Sequence, residues 1–146
     1  MSRWLNRFQP WGVLLIRLVL GVAMVIHGYP KVVSPGAFHA SHPFAALGHA
    51  ALDHYVHFIA TLGLPAWLAY VSAFTEFAGG IFLVLGLLTR FVSFLVAINM
   101  LVAIAVVDIH QGYFSSEYPL ALVAIAIMLL FAGPGKAALD RKIGFS

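Results

Sequence analysis

One carboxylate stands in the middle of a long apolar stretch. The segment AYVSAFTEFAGGIFLVLGLLTR, residues 69–90, surrounds Glu76 with apolar or small residues. A charge at the centre of a bilayer costs at least ~2.5–3.5 kcal/mol on insertion scales, so such a residue requires a partner. Arg17 and Asn99 lie in two other apolar stretches. At 1.5 Å per residue, Arg17 lies about 9 Å, Asn99 about 13 Å and Glu76 about 18 Å from the predicted end of its own helix on the same side of the membrane. We therefore predict that Arg17 is the bidentate ion-pair partner of Glu76 and that Arg17, Glu76 and Asn99 form an intramembrane polar core.

This polar core has two interpretations, and the residues leave both open. Ser72, Gly79 and Gly80 share the helix face of Glu76, and small residues of this kind let membrane helices approach closely. The polar groups are therefore predicted to face protein rather than lipid. They form either a clamp that fixes the packing of the helices or a functional site, such as a proton relay or the headgroup pocket of a quinone-like ligand.

A second polar group is predicted at the outer face of the membrane. His27 and Lys31 are one helical turn apart at the end of the first apolar stretch, and Asp108, His110 and Glu117 bracket the short connection DIHQGYFSSE. These side chains could converge where a ligand or a proton enters, since histidine titrates near neutral pH. Ordinary solvation at the membrane interface is the alternative.

Three metal-ligand residue types recur at helical spacing further along the chain. His49, Asp53 and His57 are four residues apart, and zinc or copper accepts imidazole and carboxylate ligands. Eight helical residues span about 12 Å, so one ion could use only two of the three. The pattern therefore predicts a polar helix face, with these residues as weak metal candidates and no tight metal site.

The composition indicates that most of the protein surface faces lipid rather than water. The chain has 146 residues, of which 62% are hydrophobic and 9% charged, whereas soluble proteins carry about 25% charged residues. An apolar stretch of roughly 17–25 residues can cross a bilayer as a helix. We predict one all-α domain over residues 1–146, an integral membrane four-helix bundle with spans at about 11–29, 65–88, 91–107 and 118–133. The prolines at 30, 35, 65, 119 and 134 are predicted to lie at helix ends, where a missing N–H does least harm. Apolar residues also recur with a period of 3.6 between spans one and two, which predicts an amphipathic surface helix over residues 44–62. Its predicted apolar stripe consists of Phe44, Leu47, Ala51, Tyr55, Phe58 and Leu62.

The charges predict the orientation and exclude some classes of partner. Six of the Lys and Arg residues flank one side of the predicted bundle and only Lys31 flanks the other, which predicts that both termini are cytoplasmic. The basic residues form no run, so a nucleic-acid partner is not expected. The absence of cysteine excludes disulfides and thiol chemistry. Arg17 interrupts the first apolar run, which favours a retained helix over a cleaved signal.

Three motifs in order make the chain similar to a known family. They are R…H-G-x-x-K in the first span, E-x-x-G-G…L-G-L-x-T-R from Glu76 to Arg90, and E-x-P-L…G-P-G-x-x-x-L-D from Glu117 to Asp140. In this order they resemble the DoxX family of small four-helix bacterial membrane proteins. The resemblance implies a protein of the bacterial plasma (inner) membrane, with namesake relatives associated with a thiosulfate:quinone oxidoreductase complex.

The resemblance and the polar residues together lead to one function and two alternatives. The first is an accessory or small-ligand-binding subunit of a membrane oxidoreductase system, with a quinone as the candidate ligand and oxidoreductase subunits or further copies of the chain as partners. The second is a structural or assembly partner with no chemistry of its own. The third is a small transporter or proton-conducting protein. No self-contained catalytic motif and no haem, flavin or iron–sulfur signature is visible, so the catalytic residues, if the chain has any, are unknown.

Overall fold

Apolar helices make up the structure, which is a computed structural model that describes residues 7–33, 49–106 and 113–144. No strand occurs in these three ranges. The helices in chain order are α1 (Gln9–Val32), α2 (His49–Thr61), α3 (Trp67–Leu85), α4 (Thr89–Val106), α5 (Tyr113–Ala132) and α6 (Leu139–Ile143).

Three of these helices, α1, α3 and α4, are long and apolar enough to cross a membrane. Within α5, residues Ser116–Ala132 form an apolar helix that is slightly shorter. Large apolar side chains cover the outside of the bundle, with Ile26 65% and Phe131 75% exposed, as a protein surrounded by lipid requires. The predicted all-α membrane bundle is therefore confirmed.

Two helices extend further than the prolines had suggested. Helix α1 continues through Pro30 to Val32, and α5 begins at Tyr113 and contains Pro119. The prediction that these two prolines lie at helix ends is therefore wrong. Each proline removes one backbone hydrogen bond within two turns of a helix end, which an otherwise apolar helix in lipid tolerates.

The four long helices pack as two close pairs, α1 with α3 and α4 with α5. Glycines bring α1 and α3 together, because a Cβ atom on Gly28 would collide with the backbone of Phe77, and one on Gly80 would lie 2.7 Å from the backbone nitrogen of Val25. Helices α3 and α4 contact each other less, and α1 and α5 less still. The antiparallel register of α1 against α3 is therefore fixed by backbone contact.

The turn between α3 and α4 is held by the segment that follows α5. Gly86 ends α3 in the left-handed conformation, with φ of 67°. The carboxylate of Asp140 then accepts hydrogen bonds from the backbone N–H groups of Leu88 (2.6 Å) and Thr89 (2.8 Å). Asp140 thus satisfies amide groups at the start of α4 that have no partner within the helix.

Helix α2 lies against α3 and α1. Ala51 and Ile59 are buried, whereas Asp53, His54 and His57 are exposed. The predicted amphipathic helix is therefore present as far as Thr61, and its predicted beginning at residues 44–48 lies outside the described residues. The buried stripe includes Ile59 rather than the predicted Phe58, which is 43% exposed.

Candidate functional site

The partner of the buried carboxylate is a lysine. Glu76 lies in the middle of α3 and is 2% exposed. Its Oε2 atom is 2.5 Å from the Nζ atom of Lys31, in the last turn of α1. Its Oε1 atom accepts a hydrogen bond from the side-chain amide of Asn99 at 2.9 Å and a longer one from the hydroxyl of Ser72 at 3.4 Å. Three helices therefore supply the polar groups around this carboxylate.

The predicted ion pair between Arg17 and Glu76 is wrong. The guanidinium of Arg17 is buried, donates to the backbone carbonyls of Pro134 and Ala137, and is attracted by the nearby charge of Asp140. The register explains the difference, because Gly28 packs on the backbone at Glu76 and Phe77. Arg17 precedes Gly28 by eleven residues, or about 16 Å along the helix, whereas Lys31 is one turn beyond Gly28.

The surface helix α2 extends the polar group toward the membrane surface. The Nζ atom of Lys31 lies 4.7 Å from the ring centre of Tyr55, a cation–π contact. The hydroxyl of Tyr55 is 3.0 Å from that of Ser72. Together, Lys31, Tyr55, Ser72, Glu76 and Asn99 form what we call the polar cluster. The lysine side chain is 25% exposed and the carboxylate side chain 3% exposed, so the polar cluster runs from the buried interior to the surface.

An apolar cavity of about 160 Å³ ends on the polar cluster. It lies between α2, α3 and α4, and all five residues of the polar cluster line it. Apart from Thr75, its other walls are aliphatic or aromatic, and they include Phe58, Leu68, Val71, Leu95 and Val102. Such a cavity suits a molecule with one polar and one apolar part, because apolar walls supply affinity and a few polar groups fix orientation.

Two of the predicted outer-face residues, His27 and Lys31, face different helices in the structure. His27 faces α5, where its Nε2 atom is 2.9 Å from the hydroxyl of Tyr118, whereas Lys31 faces α3. Glu117 is exposed. Asp108 and His110 lie outside the described residues. The structure thus separates His27 from Lys31, although the two are one helical turn apart.

The weak metal candidates lie on the exposed face of α2. Asp53 and His57 are exposed, and the side chain of His49 is outside the description. Among the described residues, no group of three or more potential ligands could hold a metal ion. The expectation of no tight metal site stays a prediction.

Sequence reasoning missed two kinds of contact. Tyr55 was predicted only as an apolar stripe residue, and Ser72 only as a small residue that permits close packing, yet both belong to the polar cluster. The glycines could have predicted the correct partner of Glu76. Packing Gly28 against the face of α3 that bears Gly80 places Lys31, rather than Arg17, beside Glu76.

The comparisons with known proteins agree with this architecture. The chain is 28% identical to a Bacillus subtilis protein named "Putative oxidoreductase CatD" over 137 residues, covering 93% of this chain and 90% of the relative. It is 25% identical to the "Uncharacterized membrane protein Rv3486" of Mycobacterium tuberculosis over 162 residues, covering 97% of this chain and 86% of the relative. No solved structure matches the chain. The profile of the DoxX family matches residues 12–109, which is more than half of the sequence, so this four-helix membrane protein belongs to the DoxX family.

Proposed function

We propose that this protein is a membrane subunit that binds a small lipophilic ligand of the quinone type and serves a membrane oxidoreductase system. The observation that carries the proposal is the apolar cavity that ends on the buried carboxylate of Glu76. A buried ionisable residue within a membrane bundle marks a functional site by default. Here it also faces a space that a ligand can occupy.

The polar cluster fits a ring that carries oxygen atoms. Lys31 and Asn99 offer N–H donors to a carbonyl oxygen, Glu76 accepts from a hydroxyl, and the hydroxyls of Tyr55 and Ser72 can do either. At about 160 Å³ the cavity is smaller than the roughly 300–1,000 Å³ of a site that encloses a whole drug-sized ligand. The ligand would therefore place its ring in the cavity and leave its tail in the lipid.

Two further facts support an oxidoreductase connection. The Bacillus subtilis relative carries the name "Putative oxidoreductase CatD", and the family resemblance implies association with quinone-linked complexes. We propose that the electron donor or acceptor of this system belongs to a partner subunit.

A structural role is the second candidate, and a specific observation favours it. Both carboxylate oxygens of Glu76 have protein partners. A satisfied cluster of this kind can hold α1, α3 and α4 in register without binding a ligand. The two candidates differ in whether a molecule enters the cavity.

We also propose that the protein lies in the bacterial inner membrane with both termini in the cytoplasm. Arg90, Lys136, Arg141 and Lys142 lie at one end of the bundle, and Lys31 lies at the other. Lys and Arg concentrate on the cytoplasmic side of membrane proteins. Reporter fusions at the C-terminus test the orientation, and a reporter active only outside the cytoplasm would overturn it.

The ligand hypothesis is tested by stabilisation in lipid nanodiscs. Decylubiquinone at 100 times its Kd should stabilise the folded protein by about 2.7 kcal/mol, whereas decanol, which has a tail and no quinone ring, should not. Ala103→Phe places a ring at the wall of the cavity and should abolish the effect. Ala105→Phe, on the exposed face of the same helix, is the matched control and should retain it.

Mass spectrometry of the protein purified in native lipid particles completes the test. A quinone that co-purifies with Ala105→Phe and is absent from Ala103→Phe supports the proposal. A stable partner protein with no lipophilic molecule, combined with no stabilisation by decylubiquinone or by a menaquinone analogue, would overturn it in favour of the structural role.

A further inference from the structure

A ring of exposed cations surrounds one end of the bundle. Its members are Arg7, Arg90, Lys136, Arg141 and Lys142, and all are exposed. The carboxylate of Asp140 is at the same end, but it is 2% exposed and both of its oxygens accept backbone hydrogen bonds. Within the described residues, this end therefore presents positive charge with no exposed carboxylate to neutralise it. We call these five residues the basic ring.

Exposed aromatic side chains accompany the basic ring. Phe91 follows Arg90 and is 58% exposed, Phe131 lies near the end of α5 and is 75% exposed, and Trp11 lies in the first turn of α1 and is 52% exposed. The Nζ atom of Lys136 lies 5.1 Å from the ring centre of Trp11. Cations with aromatic side chains at helix ends are typical of the depth where lipid headgroups meet acyl chains.

Arg90 occupies a defined place within the basic ring. Its Nη1 atom donates to the carbonyl oxygen of Leu130 at 3.0 Å, which ties the guanidinium to the end of α5. Its Nη2 and Nε atoms lie beside Gly133, where a Cβ atom would be only 3.2 Å from Nη2. The guanidinium is therefore held against the end of α5, and Arg90 remains exposed. Such a fork can bind phosphate oxygens in a bidentate manner.

We propose that the basic ring binds the headgroups of anionic phospholipids, with Arg90 as the principal phosphate contact and acyl chains against Phe91 and Phe131. A phosphodiester supplies the negative charge that this end lacks, and the phenylalanines supply apolar contact below it. An acidic soluble protein would match the charge but not the apolar rings. This proposal does not depend on the function of the cavity.

The proposal is tested by measuring lipid binding to the whole protein in a neutral detergent. Phosphatidylglycerol and phosphatidylcholine with identical chains are titrated, and bound lipids are counted by native mass spectrometry. We expect tighter binding of phosphatidylglycerol, weakened at high salt because screening reduces the attraction of exposed charges. Inorganic phosphate at the same concentration should not displace the lipid, since it has no chains to contact the phenylalanines.

Two variants and one control locate the site. Arg90→Gln should weaken phosphatidylglycerol binding about fivefold, equivalent to about 1 kcal/mol for one cation near a membrane surface. Arg90→Lys keeps the charge and loses the fork, so it should bind with intermediate affinity, and it keeps the test decisive if the glutamine variant fails to fold. Glu117→Gln, at the opposite end, should leave the affinity unchanged. Equal binding of the two lipids, or displacement by inorganic phosphate, would overturn the proposal. So would equal and opposite shifts in Arg90→Gln and Glu117→Gln, because these would mean that only net charge matters.

Discussion

The ion pair between Lys31 and Glu76 leads to an asymmetric prediction. Glu76 is almost completely buried, with its side chain 3% exposed, whereas the side chain of Lys31 is 25% exposed. Lys31→Met keeps an unbranched side chain of nearly the same length and removes its charge, so it leaves the carboxylate without a cation. Glu76→Gln keeps the shape of the side chain and leaves the lysine, whose flexible stem can carry the ammonium group to water.

The magnitudes follow from what each change leaves behind. Breaking a buried pair so that one charge remains costs about 3–5 kcal/mol. We expect the low end for Lys31→Met, because Asn99 and Ser72 still donate to Glu76 and the carboxylate can take up a proton. For Glu76→Gln we expect about 1.5–3 kcal/mol, the loss of one hydrogen bond between charged groups. The double variant strands no charge and should lose little more than Glu76→Gln alone.

The free energy of unfolding in mixed micelles, followed by the loss of helical circular dichroism, measures all four proteins. The expected coupling between the two substitutions is nearly the whole loss of Lys31→Met, a little below about 3 kcal/mol, within the ~0.5–3 kcal/mol range of residues in contact. Lys142→Met, on exposed α6, is the matched control and should not change stability measurably. Losses that add within about 0.5 kcal/mol would refute the pairing, and a larger loss for Glu76→Gln than for Lys31→Met would refute the argument from burial.

Three other contacts give shorter predictions. Asp140→Asn should cost about 1–3 kcal/mol, because one acceptor for the backbone amides of the α3–α4 turn is replaced by a donor; hydrogen exchange at Thr89 should accelerate, and unchanged exchange would contradict the capping role. Gly28→Ala should destabilise the protein and weaken the contact of α1 with α3, because its Cβ meets the backbone of Phe77; a stability equal to that of the parent would mean that the helices are further apart than described. Tyr118→Phe removes only an exposed hydrogen bond, so its unfolding free energy should change by less than about 0.5 kcal/mol, and a larger loss would mean that this bond joins α1 to α5 strongly.

The fold was predictable because hydropathy acts over whole segments. Apolar runs of the required length locate the helices whatever contacts the helices make. The predicted bounds differ from the structure at helix ends, such as the end of α1 beyond Pro30 and the start of α5 before Pro119. Proline was a weak guide there, since one lost hydrogen bond near a helix end does not outweigh the burial of the flanking apolar residues in lipid.

The partner of Glu76 was not predictable from the depth of each helix alone. A periodic pattern shows which face of a helix is buried, but it does not show how far one helix is shifted along another. Depths estimated from predicted helix ends placed Arg17 too close to Glu76. The close approach at Gly28 sets the shift, and it moves the pairing to Lys31. Tyr55 was missed for a related reason, because the docking of α2 on the bundle depends on contacts that its own sequence does not specify.

The hydrogen bonds of segment 133–144 have a consequence for biosynthesis. Arg17 donates to a carbonyl 117 residues later in the chain, and the amide of Leu88 donates to a carboxylate 52 residues later. The first three spans emerge from the ribosome before these acceptors exist, so a buried guanidinium and the turn between α3 and α4 lack their final partners during insertion. The segment that follows α5 therefore completes the packing of helices that are made before it, and a truncation after α5 should leave an inserted protein that membrane proteases recognise as unfinished.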